Sequence, residues 1–330
     1  KSKWDPIFLG VLGSPDAHGR QLDGMGGGIS SLSKICVVGP STHKDADVDY
    51  TFIAVGVKDT EVDSSSNCGN MTSAVGPYAI DARIVAPKPG SASTTVRIHN
   101  TNTGKIIHST FPITHEGDFE PLGDFSIDGV SGNASEVKLD FVNPAGSRTG
   151  KLLPTGNKVD EFDGKQVTCI DVGNPCCFVQ ASSLGVDGGL TPAQIEAHPD
   201  LLKQLDSIRR QAGVAMGLSK SIAEVPGSVP KICMVSSVES GADLRVRAIS
   251  VGQPHKAVPI TVALSVAAAS KLEGTTVHGC LSSPPASGIV IAHASGKLTV
   301  DAKFNAEGGL VFASVLRTAR RLMDGTIYWK

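Results

Sequence analysis

At 330 residues with 40% hydrophobic side chains, the chain has ample material for a core, and its length suggests two domains. A formal net charge of −2, without a basic block, excludes a surface built for nucleic acid; no apolar run reaches membrane-spanning length without charged or turn residues, so the chain reads as soluble. Thirty-seven glycines and only 5% aromatics indicate a turn-rich, strand-rich protein packed with small aliphatics. The seven cysteines include no Cys-x-x-Cys pair, and Cys176 and Cys177 are adjacent, which suits neither a simple disulfide nor a zinc knuckle. Reduced thiols in an intracellular compartment fit better, with no metal site expected.

In chain order, residues 7–12 form a short apolar segment ending in the turn Gly13-Ser14-Pro15-Asp16. Glycines at 24 and 26–28 are too dense for a helix or a strand interior, and predict a loop of free N–H groups and hydroxyls suited to oxyanions. The loop lacks the Gly-Lys-Ser/Thr ending of a P-loop. Lys34 leads into residues 35–38, which read as a buried strand; a lysine at such a mouth either snorkels to water or is held in a site. Residues 48–57, 94–99, 106–111 and 136–141 alternate as strands do. Between them, Val62 and Asp63 end a strand, Ser64 to Ser66 turn, and residues 71–80 form a short apolar helix.

The second half repeats this order. Residues 167–172 and 176–180 read as strands, and Thr191-Pro192-Ala193-Gln194 starts a helix with Thr191 as cap and Gln194 closing a capping box. A further helix over 200–216 places Leu202, Leu205, Ile208 and Ala212 on one face. Strands at 231–235 and 244–251 precede an almost wholly apolar helix over 258–269, which must be buried all round, with His255 as a structural cap before it. Residues 289–291 lead to the loop Ala292-His293-Ala294-Ser295-Gly296, and strands follow at 298–304 and 311–316. The turn-rich passage at 143–157 divides a domain of residues 1–153 from one of 154–330, and two similar halves place a ligand cleft between them.

The stretch with the most chemistry is Asn67-Cys68-Gly69-Asn70. A cysteine at a helix start lies where exposed N–H groups favour a thiolate and welcome a bound carboxylate, although a buried structural cysteine at a turn is the alternative. Cys36, Cys176 and Cys177 read as core; the Arg317, Arg320 and Arg321 cluster could bind carboxylates, yet the last turn of a surface helix is the commoner home for such a cluster.

The motifs at 13–16, 21–34, 67–76, 144–156, 171–179, 255–263, 293–296 and 317–325 together resemble the PrpF family of 2-methylaconitate and 3-methylitaconate isomerases, in order along nearly the whole chain. The resemblance implies an α+β, diaminopimelate epimerase-like fold: two pseudo-symmetric domains, each with a mixed, mostly antiparallel sheet wrapped around a central helix, and the active site in the cleft between them. It implies cofactor-independent movement of a proton across an allylic system in a small polycarboxylate, aconitate foremost, with no nucleic-acid or membrane partner and homodimerisation left open. The family's catalytic lysine and cysteine fall on Lys34 and Cys68. Substrate-binding positions fall on Ser30, Ser31, Ser33, Asn67, Gly69, Asn70, His293, Ser295 and Gly296, with Ala294 where the family commonly carries proline. An amino-acid epimerase on the same fold would need a second facing cysteine, where this chain offers His293 and Ser295; a non-catalytic carboxylate binder has no need of both Lys34 and Cys68. Family members begin with a Met-Arg-Gly-Gly-Thr-Ser-Lys segment, whereas this sequence opens at Lys1 in what reads as folded chain, so a preceding segment is expected. A cytoplasmic location is expected, with a mitochondrial one left open by the unseen N-terminus.

Overall fold

A computed structural model describes residues 3–64, 68–250, 252–283 and 288–329. The elements, in order, are α1 (Asp5–Leu12), β1 (Lys34–Pro40), β2 (Val48–Val55), β3 (Val62–Asp63), α2 (Gly69–Asp81), β4 (Ser93–Asn100), β5 (Lys105–Pro112) and β6 (Val137–Val142). They continue with β7 (Asp160–Phe162), β8 (Lys165–Asp171), β9 (Pro175–Gln180), α3 (Pro192–Ala197), α4 (Leu201–Ala215), β10 (Lys231–Ser236), β11 (Leu244–Ser250) and β12 (Gln253–Pro254). The last are α5 (Ile260–Ser270), β13 (Ile289–His293), β14 (Gly296–Phe304) and β15 (Leu310–Arg317). The fold is mixed α+β, and among the described residues no helix is long and apolar enough to cross a membrane.

The chain divides into two compact units, and not at a single cut. One holds residues 1–125, 133–139 and 317–330; the other holds 126–132 and 140–316. Residues 143–153 join the second unit through their backbone: Asn143 donates to Val311 O, Gly146 to Asp171 O, and Asp171 to Leu152 O.

In the first unit the strand order is β1-β2-β4-β5, antiparallel except for the β2–β4 pair, with β3 also on β2. The strand expected to be buried, β1, is an edge strand whose residues are half-buried, because it pairs with β2 on one side only among the described residues. The apolar segment at 7–12 is helical, with Gly13 in the left-handed conformation closing α1, and Phe8 and Leu12 pack on Ile53 and Val55. The unit's central element is α2, whose Thr72, Ser73, Val75, Gly76, Pro77, Ala79 and Ile80 are buried against the strands. Pro77 lacks an N–H for Ser73 O, an interior fault that tertiary burial outweighs. Gly76 permits the close approach: a Cβ there would sit 2.5 Å from Ser109 Oγ and 2.7 Å from Phe111 Cε1.

In the second unit the order is β15-β14-β13-β11-β10-β9-β8-β7, with parallel pairs only at β13–β11 and β10–β9. α5 is buried from Val262 to Ser270, as an almost wholly apolar helix requires. The capping box of Thr191 and Gln194 forms at α3. α4 buries Leu201, Leu205, Ile208 and Ala212 in one cluster with Cys169, Cys177 and Ile232, Leu202 lying at its margin. Cys176 and Cys177 are both fully buried, as expected. His255 does not cap α5: its ring bonds Ala257, and Pro259 occupies the cap position. Nor do residues 318–329 form a helix; the arginine cluster leaves β15 in irregular chain.

Gly76→Val tests the packing of α2. The added carbons must displace Ser109 or Phe111, and a loss of about 1–3 kcal/mol is expected for such overpacking. Thermal unfolding should show a lowered Tm, with Gly90→Ala, in open space but at positive φ, as a milder comparison.

Candidate active site at the start of a buried helix

Cys68 is the N-cap residue of α2, with extended backbone (φ −111°, ψ 105°) and no capping bond from its side chain. Its carbonyl takes the first helical bond from Thr72 N and a second from Thr72 Oγ1, each at 3.1 Å. The sulfur is therefore left to the site, where Lys34 Nζ donates to it at 3.5 Å. Lys34 is the first residue of β1 and pairs with Ala54, so strand pairing fixes the root of its side chain. Its ammonium also lies 5.9 Å from the centroid of the Phe52 ring, within range of a cation–π attraction. The lysine is held rather than snorkelling.

A second cation adjoins this pair. Arg317, half-buried at the end of β15, donates from Nη2 to Asn70 Oδ1 in the first turn of α2. Burial holds its guanidinium below the usual arginine range, and Cys68 opposes that shift. Cys36, two residues along β1, is a different kind of thiol: burial pushes it up to about 12, which leaves it a protonated packing group.

The other expected residues divide by what occupies them. Ser30 and Ser31 are exposed on a short 3-10 turn, and Gly69 and Asn70 begin α2 beside Cys68. Asn67 lies outside the described residues. Ser33 is buried: only 1% exposed, its hydroxyl accepts from Gln21 Nε2 at 2.8 Å. The glycine loop is likewise no bank of free N–H groups. Gly24 donates to Gln21 O, Met25 to Val11 O, Gly26 to Leu12 O, Gly27 to Leu32 O and Gly28 to Gln21 Oε1. Gln21, buried and at φ 52°, is the residue around which that loop is built.

In the second unit, the stretch 292–296 is a hairpin rather than an open loop. His293 pairs with Gly296, and only Ala294 and Ser295 turn. Ser295 donates its N–H to His293 Nδ1 at 3.2 Å and its hydroxyl to Lys256 O at 2.7 Å. Asp128 packs where a Cβ of Gly296 would stand and accepts from Lys297 N at 2.7 Å, which pins the turn. Desolvation lowers the His293 pKa; Asp128 opposes this, while Arg247 and His255 add to it.

Sequence reasoning set Arg317 aside as a helix-end residue and missed Gln21. Arg317 shares the face of Ala313 and Val315, so the period-2 alternation of β15 carried one step further reaches it. Gln21 carried no such signal, because a buried glutamine at positive φ is set by the loop's tertiary bonds. Among the described residues no group of three or more His, Cys, Asp or Glu side chains is placed to hold a metal ion.

The sequence pattern of the PrpF protein family matches this chain over residues 1–330. The 4-oxalomesaconate tautomerase of Pseudomonas putida is 38% identical across 98% of this chain and 88% of its own length. The 3-methylitaconate isomerase of Eubacterium barkeri is 37% identical across 98% of this chain and 89% of its own. The crystal structure of a methylitaconate-delta-isomerase superposes with a TM-score of 0.90 at 36% identity, covering 98% of this chain and 88% of that one.

The His293 environment predicts a pH effect. With a folded pKa below the unfolded value of about 6.5, the unfolded chain binds the proton more readily. The stabilisation is complete above that unfolded value and fades as pH falls through the folded one. An NMR titration of the His293 ring should give a midpoint below that of a denatured-state peptide, and His293→Gln should flatten the stability loss on acidification.

Proposed function

This chain belongs to the PrpF family, and on that premise we propose that it is a cofactor-independent isomerase that moves a proton across an allylic system in an unsaturated polycarboxylate. The observation that carries the reading is the 3.5 Å contact of Lys34 Nζ with Cys68 Sγ at the start of α2. A carbon next to a carboxylate is a poor acid, so the reaction needs a base at that carbon and positive charge where the enolate-like charge develops. Cys68 exchanges the proton as thiolate and thiol. Lys34 holds the carboxylate being enolised, or returns a proton at the far end of the allyl system. The helix start adds the partial positive charge of its first N–H groups. Ser30, Ser31, Gly69 and Asn70, with Asn67, are the proposed substrate-binding residues of this unit. His293, Ser295 and Gly296 belong to the same proposal on the strength of the resemblance alone. The reading also assigns the two units to the similar halves of a diaminopimelate epimerase-like fold, with α2 and α5 as their central helices.

The names of the relatives point to acids with two or more carboxylates around a carbon–carbon double bond. Aconitate is the substrate we place first: loss of a methylene proton, a shift of the double bond, and protonation of the former vinyl carbon interconvert its cis and trans forms. Methylaconitate, methylitaconate and oxalomesaconate undergo the same class of step.

Proton NMR of the protein with cis-aconitate in deuterated water is the test. Trans-aconitate carrying solvent deuterium is expected, with at least a hundredfold loss in Cys68→Ser and Lys34→Ala, the order of effect typical of general acid–base groups. No turnover would remove aconitate and pass the same assay to the methylated acids. Turnover that persists undiminished in both variants would show that the site is misassigned.

A further inference from the structure

Proton transfer by Lys34 and Cys68 leaves the second cation of the cluster unused. Elsewhere in the chain, Arg83, Arg97, Arg209 and Arg321 each face an aspartate. Arg317 does not: among the described residues no carboxylate lies within ion-pair distance of it, and Asn70 Oδ1 is the acceptor it meets. A half-buried guanidinium normally retains its charge by finding an anion, and burial here works against that charge. Of its five N–H donors, a single neutral amide among the described residues engages one group, which leaves the other edge of the fork to meet a carboxylate in the bidentate geometry that suits it. Among the described residues Lys34 likewise meets no carboxylate, and contacts Cys68 and the face of Phe52. Two cations without anions thus converge on one thiol.

We propose that Arg317 binds a carboxylate of the substrate beside the Cys68 thiol, with Asn70 positioning its guanidinium, so that Lys34 and Arg317 together select acids bearing at least two carboxylates. The selection rests on the isomerase reading; the anion site at Arg317 does not. Asn70 is exposed at the first turn of α2, and its amide fixes one side of the guanidinium plane at a cost in flexibility that the free chain has already met. A monocarboxylate would leave one of the two cations unpaired, which is the physical basis of the discrimination.

Two alkylating reagents of nearly equal size separate charge recognition from thiol reactivity. Iodoacetate and iodoacetamide both form a carbon–sulfur bond at the thiolate with loss of iodide, and only the first carries a carboxylate. The ratio of their rates at Cys68, followed by peptide mapping and normalised to free cysteine, reads the anion preference without any substrate. The ratio should exceed that of free cysteine in the wild-type protein, and should fall about fivefold or more in Arg317→Ala, as expected on removal of a charge-assisted hydrogen bond. Arg317→Lys keeps the charge without the fork and should fall part of the way, which preserves the comparison where the alanine variant does not fold. Wild-type ratios in both variants would overturn the proposal. A collapsed ratio in a protein that turns over no polycarboxylate would uphold the anion site and sink the isomerase reading. Turnover with an unchanged ratio would do the reverse.

Discussion

The ammonium of Lys34 against the sulfur of Cys68 is the contact on which the rest of this site depends. Neither group is useful alone. A lysine at an exposed strand mouth is a solvated point charge, and a cysteine at a half-buried helix start is a weak acid. Held at 3.5 Å, each alters what the other can do. The ammonium sets a positive charge against the sulfur, and the sulfur accepts a hydrogen bond from it.

The fold supplies that separation from two elements with little freedom. β1 is anchored residue by residue to β2 from Lys34 to Pro40, so its first side chain has a fixed root even though the strand lies at an edge. α2 is fixed in a different way, by burial on most of its circumference and by a glycine that lets it close on Ser109 and Phe111. Its N-cap residue, Cys68, projects a sulfur that makes no capping bond. A rigid strand end and a rigid helix start are the conditions under which a proton can be handed over without reorganisation. The hairpin at His293 is built by comparable means, with Asp128 filling the space a side chain on Gly296 would need.

Much of this was legible in the residues. The capping box at Thr191, the almost wholly apolar α5 and the alternation of β4 and β5 are local patterns with local causes, and they form where expected. The proximity of Lys34 and Cys68 was legible only through resemblance, since a sequence separation of 34 carries no periodicity that brings them together. Where the reading failed, long-range bonds had decided the outcome. The glycine loop spends its N–H groups on α1, Gln21 and Leu32 rather than on a ligand, and Ser33 is consumed by the same Gln21. Arg317 was hidden by composition: Arg317-Thr318-Ala319-Arg320-Arg321 looks helical, yet the strand before it runs through Arg317 and the chain after it is irregular.

The central claim is that Lys34 acts on the Cys68 sulfur, and the rate of Cys68 alkylation by neutral iodoacetamide at pH 7 tests it most directly. Lys34→Met keeps much of the side-chain volume and removes the charge. The account predicts a rate at Cys68 lowered about fivefold or more, the scale of one screened charge at this distance, with Cys36 unreactive in both proteins. An equal rate in the wild type and the variant would mean that the two groups are neighbours without being partners, and the account would fail.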